Sequence, residues 1–159
     1  MYAFSVLRAR TPISALGFLF SKIGQLTTAR FATQVLPLGL RPRHCGLLAV
    51  AAQNPSISQE DLSRALGLVP SGVVGIVDDL EGLGAVRRVS DPDNRRRYSI
   101  QLTKHGYALL ARCSDAAEQV DQEILADLSP KQRATLASLL EIVGGTLGII
   151  SQSEPKSRS

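Results

Sequence analysis

"AVRRVSDPDNRRRYSIQL", residues 85–102, sets two short stretches of β-branched and aromatic residues on either side of Asp91-Pro92-Asp93-Asn94. Asp and Asn side chains hydrogen-bond their own backbone and proline presets φ, so these four residues predict a turn and the whole stretch a β-hairpin. Successive side chains alternate across a strand, which puts Tyr98, Ile100 and Leu102 on one face and Arg97, Ser99 and Gln101 on the other. The charge is one-sided. Between Ala85 and Lys104 lie Arg87, Arg88, Arg95, Arg96, Arg97 and Lys104 against only Asp91 and Asp93, an excess equal to the net charge of the whole chain, +4. A solvated face mixes both signs. A cluster of one sign favours an anionic partner, and basic patches are the footprint of nucleic-acid binding.

Just upstream, Ser58 of "ISQEDLSRALGL" is placed to cap a short helix, with Asp61 where a capping box usually has Glu or Gln. Leu62, Ala65 and Leu66 form its expected inner face. Gly67 makes the turn, and "VPSGVVGIVDDLEGLG" follows as a second helix with Val73, Ile76, Val77 and Leu80 inward and Gly84 ending it. Two helices joined by a glycine-containing turn, with small Ala65 at their crossing, predict a helix-turn-helix. A hairpin directly behind it is then a wing, whose arginines reach a nucleic-acid backbone or groove.

Further out, "RPRHCGLLAVAAQNP" predicts a helix stopped at Asn54-Pro55. Thr11-Pro12 looks like a cap with proline at the first helical position, opening a long helix over 12–36 that Pro37 and Gly39 end. Its stripe runs through Ile13, Leu16, Phe20, Ile23 and Thr27 towards Phe31 and Val35. After the hairpin, Thr103 opens a helix with Tyr107, Leu110, Ser114, Ala117, Val120 and Ile124 at spacings of three and four. Ser129-Pro130 caps a last helix striped by Leu136, Leu139, Leu140, Val143, Leu147 and Ile150. The tail, 151–159, reads as disordered. The expected fold is mainly α, an α+β winged helix in one domain of 159 residues. A winged helix-turn-helix lobe over 41–102 is flanked by helices at 12–36 and 104–150 that suit a partner subunit.

Other classes find little support. The longest apolar runs are too short to span a membrane, and the arginines follow the apolar residues of "MYAFSVLRARTP", the reverse of a signal peptide, so a cytoplasmic protein is expected. Phosphate-loop, dinucleotide and zinc-protease motifs are absent, which argues against an enzyme and for no cofactor. Cys45 and Cys113 are expected as buried structural thiols. His44 and His105 are the only histidines, and no metal site is expected. Asp115, Glu118, Asp121, Glu123 and Asp127 read as a solvated helix face.

With these parts in this order, the chain resembles the MarR-type winged helix-turn-helix regulators over about residues 13–148. "GLRPRHCGLLAVAA", "ISQEDLSRALGL", "VVGIVDDLEGLGAVRR", "DPDNRRRYSIQLTKHG" and "LSPKQRATLASLLEIV" carry the resemblance. It implies a homodimeric transcriptional regulator, usually a repressor, that binds double-stranded DNA. The recognition helix, Pro70 to Leu83, would enter the major groove and the wing arginines the adjacent minor groove. Release by a small anionic or aromatic effector, or by cysteine oxidation, is the usual control. Carried over, the DNA-binding residues are Ser58 and Gln59, then Pro70, Ser71, Gly72, Val74 and Gly75 with Val69 beside them, and Arg95, Arg96 and Arg97 on the wing. Arg96 is the first choice for the minor groove, and His44 is a candidate effector residue. Two departures stand out. The recognition helix has Val, Pro and Gly where relatives commonly carry Asp and Arg, and Asn94 replaces the wing's second acid. A reader with so few donors should depend on phosphates and DNA shape. The alternative is a dimeric winged-helix module that binds another protein and touches DNA weakly or not at all.

Overall fold

The computed structural model describes residues 15–90 and 98–148. They fall into two compact units, divided after Val120. In the first unit α1 (Ala15–Val35) runs into a 3-10 turn (Leu36–Leu38). Pro37 cannot continue the helix, and Gly39 takes φ 73°, giving its N–H to Leu36 O at 2.9 Å. The chain can then bury Leu40 beside Val35. Next come α2 (Pro42–Gln53), β1 (Ile57–Ser58), α3 (Gln59–Leu66) and α4 (Pro70–Gly82), then β2 (Val86–Ser90), β3 (Tyr98–Leu102) and α5 (Lys104–Ile124).

Local chemistry explains the helix-turn-helix. Ser58 Oγ accepts the Asp61 N–H at 3.0 Å and its hydroxyl donates to Asp61 Oδ2 at 2.6 Å, capping α3 as predicted. Gly67, at φ 62°, reverses the chain. The turn is locked by the Ser63 hydroxyl, which donates to Leu68 O at 2.5 Å. The expected inner face of α3 needs one correction. Leu62 is buried and Leu66 half-buried, but Ala65 is exposed and Ser63 takes its place inside. A hydroxyl is tolerated there because the turn carbonyl satisfies it.

The wing strands pair antiparallel in the order β1-β3-β2, with Arg88 opposite Ile100 and Ser90 opposite Tyr98. The strand β1, not foreseen from the sequence, sets Ile57 opposite Ile100. Ile100 is fully buried and Leu102 half-buried, whereas Tyr98, at the start of β3 opposite Ser90, is exposed. Leu47, Leu48, Leu62, Val73, Val77, Leu80 and Ile100 meet in one core, and Cys45 and Cys113 are buried in it, as expected. The predicted turn at Asp91-Pro92-Asp93-Asn94, the Thr11-Pro12 cap and the tail 151–159 lie outside the described residues.

On α5 the inner face is Gly106, Leu109, Cys113, Ala116 and Val120: the first four lie one position before the expected stripe, Val120 is common to both, and Tyr107 and Ser114 are exposed. In the second unit α6 (Pro130–Thr146) begins at a full capping box. Ser129 N–H donates to Gln132 Oε1 at 2.9 Å, and Gln132 N–H to Ser129 Oγ at 3.4 Å. Leu139, Leu140, Val143 and Leu147 of its apolar stripe are exposed.

Candidate nucleic-acid interface

The 3.6-residue period of α4 separates two faces with different work. Val73, Ile76, Val77 and Leu80 are buried, and Leu80 and Val77 anchor the helix to the core. Val69, Pro70, Ser71, Gly72, Val74 and Gly75 are all exposed, so every predicted groove residue of this helix lies on one solvent face. Pro70 occupies the first helical turn, where a missing N–H costs nothing. The chemistry on offer is sparse: one hydroxyl at Ser71, two apolar side chains at Val69 and Val74, and bare backbone at Gly72 and Gly75. Such a face can meet a thymine methyl or a phosphate at close range, but cannot make a bidentate contact to guanine or adenine.

The other half of α4 is clamped from two sides. From β2, the Arg88 guanidinium bonds both Asp78 and Glu81, and its backbone N–H donates to Glu81 Oε1 at 3.1 Å. Burial works against the Arg88 charge, but the bonds to the two carboxylates outweigh it and raise its pKa further. Arg88 is thus spent inside the protein, which corrects its place in the free charge of the wing. Arg87 donates to Gln101 Oε1 across the hairpin at 3.0 Å, and Lys104 stays exposed.

From α2, His44 reaches the neighbouring acid. Its Nδ1 accepts the Arg41 N–H at 3.2 Å, so the ring hydrogen sits on Nε2 and is donated to Asp79 Oδ2, also at 3.2 Å. Arg43 approaches the same oxygen at 3.4 Å. Burial pushes the His44 pKa below its ordinary value, in spite of the opposing Asp79 carboxylate. A neutral imidazole therefore both caps α2 and tethers α4. His44 also borders a shallow cavity of about 260 Å³ lined by Gly39, Arg41, Asp79 and Leu83.

The remaining predicted residues separate. Ser58 spends its hydroxyl on the α3 cap, and Gln59 turns its Nε2 inward, where it finds no hydrogen-bond partner. Arg95, Arg96 and Arg97 lie outside the described residues. Among the described residues no group of three or more His, Cys, Asp or Glu could hold a metal ion, and no helix is long and apolar enough to cross a membrane. Sequence reasoning missed the Arg88 and His44 tethers. Each joins residues on different elements, and neither leaves a local pattern.

Comparison with known proteins fits this arrangement. Residues 38–97 match a family model described as the MarR family. A protein assigned to transcriptional regulation of the hcr operon in Thauera aromatica is 38% identical over 128 residues, covering 79% of this chain and 76% of its own length. The transcriptional repressor Rv2887 of Mycobacterium tuberculosis is 28% identical over 129 residues, or 81% of this chain and 93% of its own. Its crystal structure in complex with DNA superposes with a TM-score of 0.71 at 26% identity, covering 83% of this chain and 99% of that one. CouR from Rhodococcus jostii RHA1, solved with p-coumaroyl-CoA, superposes equally well, with a TM-score of 0.71 at 26% identity over 85% of this chain and 95% of that one.

Proposed function

The chain belongs to the MarR family of transcriptional regulators, and from that premise we propose that it is a cytoplasmic, homodimeric repressor that binds double-stranded DNA and lets go when a small effector binds. The exposed face of α4 carries the reading. Six positions from Val69 to Gly75 stand free on a helix whose far half is tethered to β2 and α2, which is how a rigid reader is presented to a groove. In this reading Pro70, Ser71, Gly72, Val74 and Gly75 meet the major groove. Arg96 enters the minor groove while Arg95 and Arg97 hold phosphates, and Ser58 and Gln59 lie alongside the backbone. The segments 12–36 and 104–150 join two copies. An anionic or aromatic effector would take the cavity beside His44, where Arg41 supplies a positive charge. The relatives are regulators rather than enzymes, and we read this chain the same way.

A second reading has its own support. Val69 and Val74 are exposed apolar side chains on a face with one hydroxyl, a surface that also suits a protein partner. Fluorescence anisotropy on the duplex upstream of the protein's own gene, titrated at several salt concentrations, separates the two. Repressor function predicts tight binding with a steep salt slope, each phosphate contact adding about 0.9 to it. Arg96→Ala should weaken binding and lower that slope by about one contact. Binding no tighter than to random duplex, with no effect of Arg96→Ala, would put the protein-binding module first.

A further inference from the structure

Cys45 and Cys113 are 68 residues apart in sequence, on α2 and α5, yet their Sγ atoms lie 2.9 Å apart in the core and share a hydrogen bond. A disulfide bond measures about 2.05 Å, so closing the pair requires a shift of under ~1 Å. Both residues belong to the same compact unit, and both side chains are buried. Two free thiols held in contact across two helices form a built site, which neither cysteine alone would be. We propose that Cys45 and Cys113 are a dithiol modification site, oxidised by a small hydroperoxide to an intrachain disulfide that staples α2 to α5.

The surroundings assign the roles. The hydrogen bond shared with the Cys45 thiol, helped by the Arg112 guanidinium, holds the Cys113 pKa below the ordinary thiol value although burial opposes it. The same hydrogen bond, with burial, pushes the Cys45 pKa well up. Cys113 is therefore the nucleophile and Cys45 the resolving thiol. The Cys113 thiolate attacks one peroxide oxygen and the O–O bond breaks. This leaves a sulfenic acid on Cys113 and a hydroxide or alkoxide that takes up a proton. Cys45 sulfur then attacks the Cys113 sulfur, the S–O bond breaks, and the departing hydroxide leaves as water with the Cys45 proton. Two thiols have lost two electrons, and one peroxide has gained them. Burial restricts the oxidant to a molecule of about the size of hydrogen peroxide and screens the pair from bulky disulfides such as oxidised glutathione. The closed loop would contain α3, α4 and both wing strands, most of the winged-helix lobe.

The test needs no DNA, so it stands apart from the repressor reading. The full-length reduced protein is treated with hydrogen peroxide, denatured with an alkylating agent present, and weighed intact. The expected product has lost two hydrogens, takes no alkyl label, runs as a single chain on a non-reducing gel and recovers both thiols with dithiothreitol. Restricting the unfolded chain, the crosslink should raise the melting temperature by on the order of 10 °C. Cys45→Ala should stop at a sulfenic acid on Cys113 that dimedone traps, whereas Cys113→Ala should leave Cys45 unoxidised over the same time. Two labelled thiols after peroxide, a crosslink between chains, or Cys113 driven to sulfinic acid in the wild type would each overturn the proposal. Oxidation of Cys45 at the wild-type rate in Cys113→Ala would overturn the assignment of roles.

Discussion

A methyl group added at Gly106 would sit 2.0 Å from the carbonyl oxygen of Ala85. Both sides of that contact are backbone, so no side chain can swing away to relieve it. The closeness is imposed by Thr103, whose N–H donates to Ala85 O at 3.0 Å and whose hydroxyl donates to Gly84 O at 2.7 Å. The same hydroxyl oxygen accepts the Gly106 N–H at 3.0 Å and so caps α5. Thr103 and Gly106 together weld the exit of the wing to the end of the turn after α4, and this is what the "LTKHG" stretch is for. Gly106→Ala gains about 1 kcal/mol of helix propensity, but overpacking against rigid backbone costs about 3 or more. We expect a net loss of roughly 2 kcal/mol, read as a lower midpoint in urea at unchanged slope. An unchanged or higher midpoint would mean that the contact relaxes freely and that another residue sets this junction.

On α4 the same substitution should have the opposite sign. A Cβ at Gly75 would meet nothing within 4 Å, and one at Gly72 only the Val69 side chain at 3.7 Å. Alanine at Gly75 should therefore stabilise the protein by up to about 1 kcal/mol. If the helix backbone approaches DNA at Gly75, the added methyl must at the same time weaken operator binding, by about tenfold for a contact of ordinary strength. Greater thermal stability with undiminished DNA affinity would remove Gly75 from the interface. Elements of this kind were legible in advance because each is local: Ser58 and Ser129 announce their caps, and the period of Val73, Ile76, Val77 and Leu80 already names the buried face. What could not be read locally was set by tertiary contact. Apolar residues flank α5 on adjacent stripes, and the close approach at Gly106 selects the one containing Leu109 and Cys113. Ser63 replaces Ala65 inside because a turn carbonyl waits for it, and two residues of β1 are too few to show a period. The tethers through Arg88 and His44 belong to the same class, as does the meeting of Cys45 with Cys113.

At the scale of the whole molecule, α1 sets the strongest condition. It is 21 residues long, and apart from its last turns nearly every described side chain on it is exposed, including Leu16, Phe20, Ile23 and Leu26. A helix in a protein draws most of its stability from packing an apolar face, because nucleation is costly and propensity alone returns little. The exposed stripe on α6, through Leu139, Leu140 and Val143, poses the same problem in the second unit. A second copy of the chain would resolve both, and in the proposed reading it would also supply two reading heads for a two-fold symmetric operator. The expected mass by light scattering at micromolar concentration is twice the 17.0 kDa of the chain. If dimer formation is coupled to folding of α1, the melting temperature should rise with protein concentration. Replacing both Ile23 and Leu26 by Glu places charges on that face, and should yield a 17.0 kDa species with lower helical circular dichroism. That species should also bind DNA far more weakly, since only one head can then engage at a time. A wild type that stays monomeric at tens of micromolar, with a melting temperature independent of concentration, would leave α1 uncovered and refute the dimer along with the two-headed mode of binding.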